Sequence, residues 1–145
     1  MTQDERTGNL RGAIVPGQSI GDIRLHASEA EMLARLGMDY KREQRGPECA
    51  VYHARGLSVW VDETTKRVVQ VLARQGFEGT LMGRIGVGST IRELRALGEV
   101  YCDDGHCPVY LIRGMEGICF ETEDNEPIDE EWHEDDGVIA AISVY

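Results

Sequence analysis

The chain lacks a long apolar run and an excess of basic residues, and each absence excludes a class of protein. No apolar stretch in its 145 residues approaches the roughly 18 residues that a membrane-spanning helix needs. The formal charge is −11, which argues against direct binding to the phosphates of nucleic acid. The start, Met1–Thr7, is polar and contains acids. It therefore predicts neither a secretory signal nor a transit peptide, and we expect a cytoplasmic protein that does not enter a membrane.

Complete catalytic motifs are also missing. The sequence has no Gly-x-Ser-x-Gly elbow, no His-Glu-x-x-His pair and no Gly-Lys-Ser/Thr phosphate loop. Its 4 histidines stand singly in different contexts. We therefore predict that the protein is not an enzyme and that it holds no cofactor.

The chain has 4 cysteines, and in the reducing cytoplasm we expect them to be thiols rather than a disulfide framework. Cys102 and Cys107 are separated by four residues, which matches neither a redox dithiol nor a standard zinc knuckle. Cys49 and Cys107 lead matching stretches of sequence, which favours packing as small hydrophobic residues. A zinc site that combines these cysteines with His53 or His106 is the alternative that the sequence leaves open. Cys119 is the fourth thiol.

An internal repeat organises most of the chain. Gly37 and Gly98 end two similar segments, and Gly56 and Gly117 begin two others, with the same offset of 61 positions in both pairs. A constant offset between separate landmarks indicates duplication of one structural unit. We predict one domain over residues 1–145, with a first copy at about 14–73, a second at about 80–145, and a flexible segment at 1–12.

Each copy predicts a short capped helix followed by strands. Ser28 is placed to cap a helix that ends at Gly37, and Ser89 or Thr90 is placed to cap one that ends at Gly98. Alternating apolar residues then predict strands, with a hairpin that turns through 62–66. The sum is about six strands and two helices. We therefore predict an α+β protein, with two diverged helix-plus-antiparallel-strand units forming one sheet that carries the helices on one face.

These capped helices carry a resemblance. The segment around Ile85, with Ser89-Thr90, Glu93-Leu94 and Leu97-Gly98, resembles the repeat unit of β-lactamase inhibitor protein and the related small domain of some outer-membrane lipoproteins. The tandem arrangement and the acidity are similar to those of immunity proteins, which neutralise bacterial toxins inside the producing cell. The resemblance covers most of residues 14–145. It implies a binding protein, although the lipid-attachment cysteine of the exported relatives is missing.

One acidic insertion distinguishes the second copy from the first. The turn at 62–66 is replaced by a loop at 123–136, and residues 121–136 hold ten acids and no base. Concentrated charge steers association with a partner of opposite charge, and Trp132 is a typical interface anchor. We predict that this loop binds a basic protein. The predicted contact residues are Glu123, Asp124, Glu126, Ile128, Asp129, Glu130, Glu131, Trp132, Glu134, Asp135 and Asp136.

The function that these features favour is that of an immunity-type inhibitor, which neutralises a basic bacterial toxin by occluding it. Toxins that act on nucleic acid are basic, so a nuclease domain is one candidate partner. The alternatives are a small enzyme or ligand-binding module with a pocket between sheet and helices, an assembly module, and a loop that only confers solubility. Carboxylates at 129–136 also offer oxygen ligands to a divalent cation, but no calcium-loop pattern is present, so we predict no metal site.

Overall fold

The computed structural model describes residues 12–103, 109–123 and 136–145. The described elements are three short strands, a helix, four longer strands, a short strand, a second helix with a following 3₁₀ turn, and four further strands. They are β1 (Ala13–Val15), β2 (Ser19–Ile20), β3 (Ile23–Arg24), α1 (Glu29–Leu36), β4 (Tyr40–Arg45), β5 (Cys49–Ala54), β6 (Leu57–Asp62), β7 (Arg67–Arg74), β8 (Thr80–Leu81), α2 (Ile91–Leu94), the 3₁₀ turn (Arg95–Leu97), β9 (Val100–Asp103), β10 (Val109–Ile112), β11 (Ile118–Thr122) and β12 (Ile139–Val144).

The strands form two sheets. The large sheet has 8 strands in the order β4-β5-β6-β7-β12-β11-β10-β9, and every neighbouring pair in it is antiparallel. The small sheet has 4 strands in the order β3-β2-β1-β8, with β1 and β8 parallel. The large sheet is therefore two four-stranded meanders that meet along their last strands, β7 and β12.

The predicted α+β class is wrong. Among the described residues the protein is mostly β, with 49% strand and 14% helix, and these residues form two sheets instead of one sheet with helices on one face. The error has two physical sources. The strands before α1 are two or three residues long and lie between glycines, so their sequence resembles turns. Strand β4 is exposed along all six residues, so it has no alternation of apolar and polar residues.

Both helices begin at the predicted caps. The Ser28 hydroxyl accepts a hydrogen bond of 3.1 Å from the Glu31 amide, and Gly37 follows the last turn. Thr90 caps α2 in a capping box with Glu93, whereas the Ser89 hydroxyl accepts from the Gly86 amide at 3.0 Å. Side-chain oxygens at these positions satisfy amides that have no partner within the helix. The local sequence thus determines where each helix begins.

One face of the large sheet carries the core. Buried side chains of both helices, of the small sheet and of this face of the large sheet belong to a single cluster. Strands β2 and β3 and helix α1 all contact β7, near the middle of the large sheet. The small sheet and the helices thus cover this face together.

The two meanders join symmetrically. Leu72 on β7 pairs with Ser143 on β12, and on either side Val71 pairs with Val144 and Ala73 with Ile142. At the far end of each meander's last strand, the Arg74 amide donates to the Gly56 carbonyl and the Tyr145 amide donates to the Gly117 carbonyl. These matching contacts relate Arg74 to Tyr145 and Gly56 to Gly117 across a local two-fold axis at Leu72–Ser143.

Candidate functional site

The face of the large sheet that points away from the core is the candidate functional surface, and we call it the open face. Cross-strand pairing places side chains from all eight strands on it in one row. From β4 to β9, the row consists of Lys41, His53, Ser58, Leu72, Ser143, Cys119, Leu111 and Tyr101. A second, shorter row contains Glu43, Val51 and Trp60.

Val51 lies on the open face, but the side chains around it shield it from solvent. It is fully buried, with 0% exposure, yet it does not belong to the core cluster. Its cross-strand neighbours are Glu43 and Trp60, and the Arg45 guanidinium lies 5.7 Å from the centre of the Trp60 ring. The open face is therefore partly apolar, because Val51 and Trp60 lie on it beside charged residues.

A chain of polar contacts crosses the β4–β7 half of the open face. His53 Nε2 lies 2.7 Å from Glu43 Oε1, and His53 Nδ1 lies 2.9 Å from Ser58 Oγ. Arg74 Nε donates to the same Ser58 oxygen at 3.4 Å. Since Arg74 can only donate, the Ser58 hydroxyl is free to donate onward to a neutral His53, which then donates to Glu43.

Ser58, His53 and Glu43 are the residue types of a catalytic triad, in which a serine nucleophile, a histidine base and an orienting acid contact one another. Chemistry at Ser58 would require its hydroxyl to reach a substrate, and the residue is only 3% exposed. It also lies within a regular strand, with Leu72 as its cross-strand neighbour. The arrangement therefore holds the surface of the sheet in one conformation and does not favour hydrolysis.

The β9–β12 half of the open face has different chemistry at the matching positions. His53 and Ser58 correspond to Leu111 and Cys119, because each pair occupies the same place in its meander. Lys41 and Arg74 correspond to Tyr101 and Tyr145, which are 42% and 50% exposed. One half of the surface is thus polar and cationic, and the other half is apolar and aromatic.

The net charge of the protein is concentrated in two connections between strands of the large sheet. The connections from β9 to β10 and from β11 to β12 leave the same end, because Asp103 pairs with Val109 and Thr122 pairs with Ile139. Residues 103–108 and 121–136 hold 12 of the 26 acids and none of the 15 Lys and Arg. The remainder therefore has 14 acids against 15 bases, which is close to neutral. We call these two segments the acidic end.

Most of the predicted contact residues lie outside the described residues, namely those at 124–135. The two that are described flank that segment. Glu123 is exposed, and its amide donates to the Val138 carbonyl at 3.0 Å. Asp136 is 59% exposed and forms an ion pair of 3.0 Å with Arg92, which lies on α2. The contact role of the segment between these two residues stays a prediction.

The described cysteines cannot share one zinc ion with His53. Cys49 and His53 lie on the same face of β5, four residues apart, which corresponds to about 13 Å along a strand. Cys102 lies at the opposite edge of the sheet, where it packs against the core. Among the described residues, no group of three His, Cys, Asp or Glu side chains is placed to hold a metal. Cys107 and His106 lie outside the described residues.

Two of the thiols are held in their protonated form. Burial, which disfavours the charged thiolate, raises the pKa of Cys119, and the nearby Glu121 carboxylate raises it further. Burial also raises the pKa of Cys49, although the Arg45 guanidinium opposes this effect. These are properties of packing residues, since a reactive cysteine needs a lowered pKa.

The polar contacts that link Glu43, His53, Ser58 and Arg74 are the part of the surface that the sequence does not predict. The histidines were considered as isolated residues, whereas His53 and Ser58 are cross-strand partners. The sequence contains a feature that predicts this pairing. Arg55-Gly56 forms a two-residue hairpin turn, in which Gly56 has a φ of 75°. Such a turn pairs Ala54 with Leu57, and therefore pairs the next residues outward.

Comparisons with known proteins returned no match: no family model, no curated protein and no solved structure is similar to this chain. The resemblance to inhibitor and immunity proteins therefore stays a prediction. In the described part of the chain, no helix is both long enough and apolar enough to cross a bilayer.

Proposed function

We propose that the protein is an inhibitory binding protein of the immunity type, which neutralises a basic protein by covering its active surface. The observation that carries this proposal is the separation of charge. The acidic end accounts for the whole net charge, and its two segments connect strands that contribute side chains to the open face. A partly apolar sheet face with acidic connections suits a macromolecular partner, because the charge accelerates encounter and the surface supplies area for contact.

The chemistry of the two halves supports a protein as the partner. Exposed aromatic side chains such as Tyr101 are typical of protein interfaces, and Trp60 on the same face is partly exposed. Nucleic acid is disfavoured because the acidic end repels phosphates. The proposal includes a bacterial toxin domain as the partner and the cytoplasm as the location. The cytoplasmic location is favoured by Cys49 and Cys119, which are not in a disulfide.

The alternative of a small-molecule pocket has weaker support. A recess of about 730 Å³ lies beside α1 and is lined by Asp22, Arg24, Glu31 and Arg35 with four small or apolar residues. None of these lining residues belongs to the large sheet. The recess is wide and charged, whereas ligand pockets are mostly apolar and enclosed.

The test begins with purification of the native complex and mass spectrometry of the partner. The proposal expects one stoichiometric basic protein whose activity is lost in the complex. Association rates are then measured at low salt for a triple variant, Glu130→Gln with Glu131→Gln and Asp135→Asn. We expect association to slow by about tenfold or more, and the loss to shrink as salt is added.

A matched control removes the same charge elsewhere. Asp22→Asn, Asp39→Asn and Glu48→Gln change three exposed acids outside the acidic end. The control should keep most of the wild-type rate. An acidic partner, a retained small molecule in place of a protein, or equal rates for the two triple variants would each contradict the proposal.

A further inference from the structure

The polar half of the open face carries two cationic side chains, Lys41 and Arg74, that have no role in binding a basic partner. Lys41 lies on β4, directly opposite His53 on β5, and it is exposed. It makes no hydrogen bond or ion pair with any residue in the described ranges. The chain has only one other lysine, Lys66, which is paired with Glu63 at 3.0 Å.

Arg74 reaches the same place from the other side. Its Nη2 donates to the carbonyls of Ala54 and Leu57, and its Nε donates to Ser58 Oγ. The guanidinium thus crosses β6 and ends beside β5. These bonds fix its plane, and its Nη1 has no partner among the described residues. Lys41 and Arg74 therefore flank the His53 ring, one from each side.

The local charge is positive although the protein is strongly acidic. The carboxylate of Glu43 is already engaged, because it accepts from Arg45 at 3.0 Å and contacts His53 at 2.7 Å. Lys41 and Arg74 are left without acidic partners in the described structure. Arg74 is held in place by its hydrogen bonds, so it loses little freedom when it binds a carboxylate, and Lys41 adds a second positive charge.

The corresponding positions of the other half show that the fold does not require these charges. The residues that match Lys41, His53, Ser58 and Arg74 are Tyr101, Leu111, Cys119 and Tyr145. The same backbone geometry is thus built with apolar and aromatic side chains. The polar set belongs to the first meander alone, so packing of the sheet does not explain it.

We propose that Lys41 and Arg74, across the His53 ring, form a carboxylate subsite on the open face that receives an Asp or Glu side chain of the protein partner. This inference rests on the proposed function and refines it. The partner presents basic groups to the acidic end and an acidic side chain to this subsite. Opposite charges at two separated points of one surface allow only one orientation of the partner, and they exclude proteins that are uniformly basic.

The experiment uses the full-length protein and a peptide probe, hexaglutamate, at constant ionic strength. Amide shifts are followed by NMR. We expect saturable shifts at Lys41, His53, Ser58 and Arg74, and none at these positions with hexalysine. Lys41→Gln should weaken binding by roughly three- to fivefold, which is the range of an exposed ion pair. Lys41→Arg should restore binding, and Lys66→Gln should leave it unchanged.

Three results would overturn the subsite: no saturable shifts, shifts elsewhere on the protein, or equal effects of the two lysine variants. Lys41 also lies on an edge strand, where lysine discourages aggregation. If Lys41→Gln loses solubility but still binds the peptide, then Lys41 protects the edge strand from aggregation and does not bind carboxylates. No partner is needed here, so a negative result leaves the inhibitory function standing. If the peptide binds but no basic protein partner is found, the carboxylate subsite stands and the inhibitory function is rejected.

Discussion

Tyr52 donates a hydrogen bond of 2.6 Å to the Glu29 carboxylate, and this contact joins the first turn of α1 to strand β5 of the large sheet. The Tyr52 ring is buried on the core side, and its oxygen also accepts from Arg42 Nε at 3.3 Å. The exposed ring of Tyr40 packs edge-on against it at 5.4 Å. One buried phenol thus connects the helix, the edge strand and the sheet.

Tyr52→Phe should lower the free energy of unfolding by about 1–2 kcal/mol, because it removes one hydrogen bond to a charged acceptor and leaves Arg42 without its oxygen. Tyr40→Phe is the matched control. Its hydroxyl makes no hydrogen bond within the described structure, so its effect should stay within about 0.5 kcal/mol. Urea unfolding of both variants measures the difference. Equal losses would show that the Glu29 contact contributes nothing.

Gly56→Ala and Gly117→Ala should both be strongly destabilising, and to a similar extent. A Cβ at Gly56 would lie 2.7 Å from the Phe77 nitrogen, and one at Gly117 would lie 2.6 Å from Gly17 Cα. Backbone atoms cannot move aside cheaply, so overpacking of about 1–3 kcal/mol adds to the strain of a positive φ. Gly46→Ala has a positive φ of 67° with open space around it, and should cost only about 1–2 kcal/mol. Thermal unfolding of the three variants checks this order.

The Cys49 and Cys119 thiols should react slowly with a thiol reagent at pH 8. Burial raises the pKa of both, so little thiolate is present. The measurement uses a Cys102→Ser, Cys107→Ser background, in which only these two thiols remain. We expect reaction at least about tenfold slower than that of a small free thiol, and full reaction after unfolding in guanidinium. Rapid reaction in the folded state would contradict the burial of both thiols.

The contribution of Glu43 to stability should depend on pH. Its pKa is lowered, first by the hydrogen bond from Arg45 and then by that from His53. A lowered carboxylate pKa stabilises the folded state above the unfolded pKa of about 4.3, and the effect is lost as pH falls through the folded value. Wild type should therefore melt at a higher temperature than Glu43→Gln at pH 7, and the difference should shrink as pH falls below about 4.3. A difference that stays constant through the acid range would reject this assignment.

The local sequence predicted the helices and the first long hairpin correctly. Helix α1 begins after Ser28, as predicted, with Met32 and Leu36 buried, and Gly37 follows it. The hairpin of β6 and β7 also forms where the alternation indicates. These features depend on residues within a few positions of one another, where capping and side-chain periodicity act directly.

The fold class was wrong because sheet membership depends on backbone pairing that the side-chain pattern does not show. Strand β4, Tyr40–Arg45, exposes all six of its residues, and it is a strand only because its backbone pairs with β5. The small sheet likewise depends on the parallel pairing of Ala13 with Thr80. Backbone hydrogen bonding between distant segments leaves little trace in side-chain pattern.

The sequence by itself determined the caps, the glycine turns and the confinement of the whole net charge to two short segments, because composition and local geometry suffice for these. Only the tertiary structure decided that Arg74 reaches the Ser58 hydroxyl from β7, and that the polar row of the first meander continues into the apolar row of the second. The physical reason is register. The seam at Leu72–Ser143 joins segments that are far apart in sequence, and side chains on neighbouring strands meet only when this pairing is fixed.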